Sequence, residues 1–421
     1  MLAGMLATAL SGAVWSVPPV APAVLAWIAL ALLWPGIGRR QQAQALVFIT
    51  VGLAAFFWGA GRGAPLRVDS LLAQNQPILS MLASVTLLRL LNRPPRTDEP
   101  ALPRGLGAYV QSMLGVHAFG SVINISAVIL MSDRLARNQP LGPDQAQLFS
   151  RAFSAVAFYS PFIGGVALGL AYTPGSNPLV MMLFGLPLAA AAFLWLYWYA
   201  SSGRAGDVDS FGGYPLLPQD LKVPLALGAG VLLAYLAMPG SSVLTLITLV
   251  TPAVVLGVLL KRRGVRGLPP ALAEYVRERA PQMGGELALF LGAGVLAAGV
   301  VAAAHGTGDW VLLPRLDGFH ASLLVLAFIV MSLVCIHPAV LVGVTVALVE
   351  TVELDPTLLA TTFAMGWGLG CAVNPLSGVN VVLASRYGAD NWRIARSNVA
   401  YCATLYVVAV GLLYLYEYTR L

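Results

Sequence analysis

A short stretch near the C-terminal end, CAVNPLSGVNVVLASRYG at residues 371–388, places polar and helix-breaking residues inside an apolar segment. Proline removes an intrahelical hydrogen bond and glycine lets the backbone unwind, so Pro375 and Gly378 predict two half-helices joined by a short loop. The first amides of such a half-helix attract an anion, and the loop carbonyls can hold a cation. The polar residues of the stretch are therefore candidate ligands of a small solute: Asn374, Ser377 and Asn380.

A second stretch, YSPFIGGVALG at residues 159–169, repeats this chemistry in the first half of the chain. Ser160 and Pro161 break the segment, and Gly164 allows the backbone to unwind. Hydrogen bonding between packed helices is the alternative explanation for polar residues in membrane segments. Because the polar residues surround a breaker in both stretches, a binding site is the favoured interpretation.

Two longer apolar segments, 105–135 and 319–352, also carry polar residues at their centres. Each exceeds the roughly 20 residues that one span requires, so each is either a tilted helix or a re-entrant hairpin. In the hairpin interpretation, Asn124 and Ser126 lie at the first tip and His337 lies at the second. These three residues join the candidates for solute binding, although His337 could equally cap its tip and do no more.

Composition defines the class of protein. Hydrophobic residues make up 58% of the chain and charged residues only 10%, with a mean hydropathy of +0.80, whereas soluble proteins carry about 25% charged residues. Apolar runs of roughly 17–25 residues recur along the whole chain, as in transmembrane helices. The sequence therefore predicts an all-α polytopic membrane protein. An enzyme would need a nucleophile, a base or a metal cluster, and the four histidines are too scattered for a metal site, so we expect no enzyme, catalytic residue or bound metal. No phosphate-binding loop is present, so we expect no ATP-driven transport.

The apolar segments form two series of similar length and order, separated by a polar linker at 201–220. Residues 18–200 form repeat 1 and residues 221–417 form repeat 2, with Asn124 aligned to His337 and Pro161 aligned to Pro375. Residues 1–17 are either a signal peptide or an extra transmembrane helix. The absence of basic residues at their start favours the helix.

Basic residues predict the topology. With 105–135 and 319–352 as hairpins, all of the 24 Lys and Arg residues except Arg62, Arg67, Arg315 and Arg420 fall on one side of the membrane. Cytoplasmic loops are the ones enriched in Lys and Arg. Each repeat then has five transmembrane helices and one hairpin, an odd number of crossings, so the two repeats are inverted relative to each other. We expect a bacterial inner-membrane protein with a cytoplasmic N-terminus and a periplasmic C-terminus, and no nucleic-acid partner.

This order of elements resembles the ion transporter superfamily, which includes divalent anion–sodium symporters, the large membrane subunits of TRAP transporters and arsenite-type permeases. The resemblance covers residues 18–417 and implies inverted repeats with one broken helix each, a homodimer and a moving transport domain. In the symporters, Ser-Asn-Thr motifs occupy the hairpin tips. The corresponding stretches here lack that motif and read VINIS at residues 122–126 and CIHP at residues 335–338.

The leading functional hypothesis is a secondary active transporter of a small organic, carboxylate-like anion, coupled to Na+ or H+. No Asp or Glu lies in the break loops at 159–166 and 373–381, so nothing there repels an anion. A cation/proton antiporter would need a titratable carboxylate, for which Glu286 is the candidate; an efflux permease of the same fold is a further alternative. The expected partners are a small anionic substrate and the lipid bilayer, and the only expected cofactor is a Na+ coupling ion.

Overall fold

The computed structural model describes residues 4, 20–73, 75–91, 102–137, 140–216, 221–308, 315–349 and 354–419. Within these ranges the chain is helical and contains no strand, only an isolated β-bridge between Arg104 and Gly212. Seven helical stretches in these described ranges are long and apolar enough to cross a membrane. The chain is therefore an all-α, multi-pass membrane protein, as its composition predicts. Apart from Gly4, the predicted extra helix at 1–17 lies outside the described residues.

The helices of the first half follow the predicted apolar segments. Segment 105–135 contains two helices, and segment 143–173 contains two more. The helices are α1 Val20–Leu33, α2 Arg39–Ala60, α3 Val68–Ala73, α4 Gln76–Thr86, α5 Leu106–Ile123, α6 Ser126–Leu135, α7 Pro143–Ser154, α8 Gly164–Tyr172 and α9 Pro178–Ser201. Short 3₁₀ turns follow α1, α4 and α7, at Trp34–Gly36, Leu87–Leu91 and Ala155–Phe158, and another lies at Val208–Ser210.

The second half repeats this division. Segments 319–352 and 356–387 each contain two helices. The helices are α10 Lys222–Ala237, α11 Val243–Glu274, α12 Gly284–Gly306, α13 Gly318–Leu333, α14 Pro338–Val349, α15 Pro356–Val373, α16 Gly378–Tyr387, α17 Asn391–Ser397 and α18 Val399–Thr419. Helix α11 is kinked at Gly264, whose φ of 67° is not helical.

The chain folds into two compact units, and each unit draws segments from both predicted repeats. Unit 1 contains Met1–Asn92, Ala229–Arg315 and Ala339–Leu354. Unit 2 contains Arg93–Gly228, Leu316–Pro338 and Asp355–Leu421. Both broken segments of the chain, α7–α8 and α15–α16, therefore belong to unit 2.

In unit 1, α2 and α12 pack with their backbones in contact. A Cβ atom on Gly299 would collide with the carbonyl oxygen of Gly52, and one on Gly59 would collide with the carbonyl oxygen of Ala302. Small residues allow such close approach between membrane helices, where packing and not water exclusion drives association. Glycine is therefore required at this interface for steric reasons.

Gly292→Ala, at the same interface, is expected to lower the free energy of unfolding by about 1–3 kcal/mol, the usual effect of overpacking. The added Cβ would lie 3.2 Å from the Cβ of Phe48 and 3.3 Å from the carbonyl oxygen of Ala45. Gly257→Ala on α11 is the control, because nothing lies within 4 Å of its added Cβ. It should be neutral or stabilise the protein by up to about 1 kcal/mol. Unfolding in mixed micelles, followed by circular dichroism, measures both, and equal effects would contradict this packing.

Candidate functional site

The second break lies between the end of α15 at Val373 and the start of α16 at Gly378. Asn374 is fully buried there and organises the turn. Its Oδ1 accepts a hydrogen bond from the Leu376 amide at 2.8 Å, and its Nδ2 donates to the carbonyl of Ile336 at 3.1 Å. The predicted break is therefore tied, through the side chain of Asn374, to the segment between α13 and α14.

A chain of uncharged polar side chains extends from this break. Asn380 Nδ2 donates to the carbonyl of Asn374 at 2.9 Å, and Ser150 Oγ donates to Asn380 Oδ1 at 2.7 Å. Asn398 Nδ2 donates to the carbonyl of Ala372 at 2.8 Å and lies 3.3 Å from Ser150 Oγ. Three elements, α7, α16 and the α17–α18 junction, are thus fixed around the second break.

Arg151 anchors the far end of this chain. Its side chain is 1% exposed; its Nε donates to Asn398 Oδ1 at 2.8 Å and one terminal nitrogen donates to the carbonyl of Ser397 at 2.7 Å. Aromatic rings surround the guanidinium, with the ring centroids of Tyr199 and Trp195 at 4.6 and 4.9 Å. A guanidinium so placed is stabilised by its hydrogen bonds and by cation–π contacts. The positive-inside rule places Arg151 with the cytoplasmic loop residues, whereas the structure buries its side chain.

The N-terminal end of α16 carries hydrogen-bond donors that the described part of the chain does not use. Ser377 is 1% exposed, and its hydroxyl has no hydrogen-bond partner there. It does not cap α16, and the amides of Gly378, Val379 and Asn380 meet no acceptor among the described residues. Buried polar groups are normally satisfied, so unused donors at a helix N-terminus are the arrangement that an anion fits.

The first break lies between the 3₁₀ turn after α7 and the start of α8 at Gly164, with Pro161 inside it. Here the hydroxyl of Ser160 is used within the protein. It donates to the carbonyl of Ser121 at 2.6 Å and accepts from the Phe162 amide at 3.3 Å. The two breaks therefore differ, since the serine of the first is occupied and Ser377 of the second is not.

Each break is nevertheless tied to the predicted hairpin of its own half. The residue before the proline bonds to a backbone carbonyl near the hairpin tip, Ser160 to Ser121 and Asn374 to Ile336. Ser160 and Asn374 occupy aligned positions, whereas Ser121 lies three residues before Asn124 and Ile336 lies one residue before His337. The two contacts place each predicted tip against the break of its own half.

Both predicted tips contain a strained backbone. Asn124 has φ 55° and ψ −145°, and Cys335 has φ 68°; they are the non-glycine residues with positive φ in the described ranges. Ser126 opens α6 and His337 directly precedes α14; both are buried, and the His337 ring centroid lies 5.4 Å from that of Trp367. The sequence identified the tips, but it did not single out Cys335, because thiol chemistry gives no signal of backbone strain.

Asn124→Gly is expected to be more stable than Asn124→Ala by roughly 1–3 kcal/mol, the usual strain of a side chain in this backbone region. Both variants lose the hydrogen bond from the Ile125 amide to Asn124 Oδ1 at 2.8 Å. The difference between their free energies of unfolding therefore measures the cost of the strained backbone alone. Thermal unfolding of the two purified variants measures it. Equal melting temperatures would show that the tip relaxes without strain.

The structure brings the second-break candidates together in one turn, in which Asn374 and Asn380 are bonded to each other and Pro375, Ser377 and Gly378 lie between them. A Cβ on Gly378 would lie 3.6 Å from Cδ1 of Ile125, so the first tip also lies close to this turn. Three contributing residues were not predicted: Ser150, Arg151 and Asn398. The one available signal was a charged residue, Arg151, inside an apolar segment. The positive-inside rule assigned this residue to a cytoplasmic loop, so the signal was not used. The described residues contain no group of three or more His, Cys, Asp or Glu side chains that could hold a metal ion.

Comparisons with known proteins add only distant structural likenesses. No family model matches the chain, and no curated protein matches it. MtrF of Neisseria gonorrhoeae, described with a class of antimetabolite efflux pumps, aligns over 98% of this chain and 97% of its own, at 16% identity and a TM-score of 0.44. The YdaH transporter of Alcanivorax borkumensis, described as having an unusual topology, aligns over 93% and 87%, at 15% identity and a TM-score of 0.39. Both TM-scores lie below 0.5 and both identities below 25%, so neither likeness assigns a function to this chain.

Proposed function

We propose that this protein is a secondary active transporter of a small organic anion of carboxylate type, coupled to Na+ or H+. One observation carries the proposal: the N-terminal end of α16, where Ser377, Val379 and Asn380 are buried and Gly378 is exposed, presents three amides and the Ser377 hydroxyl without acceptors among the described residues. A break of this kind within a membrane helix is expected only where it lines a cavity or is buried in protein. Discontinuous helices with such ends hold solutes in secondary transporters.

The charge of the second break favours an anion over a cation. Residues 373–381 include no Asp, Glu, Lys or Arg, so the local field comes from the helix end and from oriented amides. Each hydrogen bond to a charged group contributes about 1.5–3 kcal/mol. A few such bonds would suffice for micromolar to millimolar affinity, the range from about −8 to −4 kcal/mol. Cation/proton antiport has no comparable support at this break.

The order of elements supports placing the chain with the ion transporter superfamily. In this proposal, repeat 1 contributes its re-entrant hairpin and broken helix to unit 2, and repeat 2 contributes its broken helix and α13, the first arm of its hairpin, while α14 belongs to unit 1 from Ala339 onward. Unit 2 carries the solute in an elevator-type movement. The protein would act as a homodimer in the bacterial inner membrane, with its N-terminus cytoplasmic and its C-terminus periplasmic. The distribution of Lys and Arg supports this orientation.

A thermal-shift screen of the purified full-length protein tests the proposal. The panel holds small carboxylates, their neutral amides and amines of matching size, each in sodium chloride and in choline chloride. A ligand that binds the folded state raises the free energy of unfolding by RT ln(1 + [L]/Kd), about 2.7 kcal/mol at 100 times Kd. We expect at least one carboxylate to raise the melting temperature while its amide does not.

Ser377→Ala and Ser201→Ala are the matched variants of this screen. Ser201 is exposed at the end of α9, where its hydroxyl bonds to the Trp198 carbonyl. Ser377→Ala should reduce the response to the carboxylate, and Ser201→Ala should keep it. Stabilisation by amines alone, or an undiminished carboxylate response in Ser377→Ala, would contradict the proposal.

A further inference from the structure

His117 is a buried titratable residue that the proposed anion site does not use. It lies on α5 and is 8% exposed. Its Nδ1 lies 3.2 Å from the carbonyl oxygen of Ala152, its Nε2 lies 2.8 Å from the hydroxyl of Tyr159, and its ring packs edge-on against Phe193 with centroids 4.5 Å apart. Both ring nitrogens are therefore engaged.

These contacts determine the tautomer. A carbonyl oxygen can only accept, so Nδ1 carries the hydrogen and donates it to Ala152. In the neutral ring Nε2 is then an acceptor, and the Tyr159 hydroxyl donates to it. Protonation of Nε2 would turn it into a donor, so the Tyr159 hydroxyl would have to stop donating and accept instead, and the buried ring would carry a positive charge.

The position of Tyr159 links this proton to the first break. Tyr159 and Ser160 directly precede Pro161, and α5 holds both of them: His117 bonds to the Tyr159 hydroxyl, and the carbonyl of Ser121 accepts from Ser160 Oγ at 2.6 Å. His117 and Ser121 are one helical turn apart, on the same face of α5. Releasing Tyr159 would therefore remove half of the connection that fixes the break to α5.

No charged side chain compensates the His117 ring in the described part of the chain. Charged and titratable groups do occur on α5 and on the elements packed against it: Tyr109 on α5, Asp133 and Arg134 on α6, Asp144 and Arg151 on α7, Tyr197 and Tyr199 on α9, and Asp209 in the turn Val208–Ser210.

These groups are engaged elsewhere or exposed. Asp133 pairs with Arg386 at 2.9 Å, Arg134 lies over the Tyr214 ring, and Arg151 is bound by Asn398 and by aromatic rings that include that of Tyr199. Tyr109 packs against Phe211. The remaining three are exposed: Asp144, Tyr197 and Asp209. Tyr159 is thus the titratable group that contacts His117 among the described residues.

We propose that His117 is a proton-binding site and that its protonation releases Tyr159 and opens the first break, which makes H+ the coupling ion. A buried imidazolium without a counter-charge is unfavourable, so the neutral ring belongs to the closed break and the protonated ring to an open, hydrated one. The inference rests on the proposed transport function. One proton and one monoanion carried together would add no net charge to unit 2.

Hydrogen–deuterium exchange of the full-length protein in detergent tests this site without any substrate, so its outcome is independent of the transport assays. A water-exposed imidazole has a pKa of about 6.5, so an opening linked to its protonation becomes up to about 30-fold more favourable between pH 8 and pH 5. After correction for intrinsic rates, amides at 159–165 should exchange up to about 30-fold faster at pH 5 than at pH 8. Amides at 373–379 form the internal control and should not change, because the equivalent contact of Asn374 with Ile336 involves no titratable group.

Two variants separate His117 from other effects of pH. His117→Gln should abolish the pH dependence at 159–165, and so should Tyr159→Phe, which keeps the ring and serves if the first variant does not fold. His320→Gln is the histidine control, since His320 pairs with Asp317 at 2.6 Å on α13 and should leave the pH dependence intact. The proposal is overturned if wild type shows no pH dependence, if both breaks respond alike, or if His117→Gln or Tyr159→Phe keeps the wild-type response. Faster exchange at 159–165 on replacing choline by sodium at pH 8 would also overturn it.

Discussion

Gly165→Ala is expected to lower the free energy of unfolding by more than about 4 kcal/mol, or to prevent accumulation of folded protein. The added Cβ would fall within the indole ring of Trp367, so α8 and α15 could not remain packed. The Trp367 ring cannot simply turn aside, because it also packs against His337 and is itself buried. Denaturant unfolding in micelles, or the folded fraction by size-exclusion chromatography, measures the effect.

Gly378→Ala is the control for this prediction, since its added Cβ would meet Ile125 at an ordinary contact distance of 3.6 Å. Trp367→Leu should partly restore stability in the Gly165→Ala background, because it removes the atoms that collide. Coupling of this size between contacting residues is measurable in a double-mutant cycle. A Gly165→Ala protein as stable as Gly378→Ala would show that the two broken segments do not pack in this way.

Asn374→Ala is expected to weaken the affinity for the transported anion by roughly 10- to 100-fold. The Asn374 side chain holds the turn through Leu376 and Ile336, so its loss displaces the donors at the start of α16. One hydrogen bond to a charged group is worth about 1.5–3 kcal/mol, and each 1.4 kcal/mol changes Kd tenfold. Asn374→Asp should weaken binding further, because a carboxylate in the break repels an anion. Binding is measured by titration calorimetry with the carboxylate that the thermal-shift screen selects.

Asn75→Ala is the matched control for the asparagine variants. Asn75 is also buried and donates to the carbonyl of Phe290 at 2.6 Å, but it belongs to unit 1. Its replacement should lower stability and leave the Kd unchanged. Wild-type affinity in Asn374→Asp would exclude an anion from the second break.

Hydropathy located the helical segments well because apolar length is imposed by the bilayer. Hydropathy did not predict where helices end outside the bilayer. The apolar segment 241–260 ends before Lys261, yet α11 continues to Glu274 through the kink at Gly264. Water can hydrogen-bond to the polar groups of a helix that extends beyond the bilayer. Hydropathy therefore predicts which residues lie in the membrane and not where the helix ends. The breaks were predictable for a local reason, since proline and glycine act on their own backbone.

Long-range contacts were not predictable from these patterns. Ser150 and Asn380 are 230 residues apart, and Arg151 and Asn398 are 247 apart. Nothing in the local sequence of α7 or of the α17–α18 junction indicates that they meet at the second break. The same holds for His117 and Tyr159, whose connection depends on how α5 packs against the first break.

Concentrative uptake into sealed proteoliposomes tests the central claim most directly. The radiolabelled carboxylate selected by the screen is added outside, with a proton gradient, a sodium gradient or no gradient imposed. The account predicts accumulation above the external concentration under one of the gradients, collapse of that accumulation when the gradient is dissipated, and none with Asn374→Asp. Equal uptake with and without gradients, or uptake that Asn374→Asp retains in full, would contradict it.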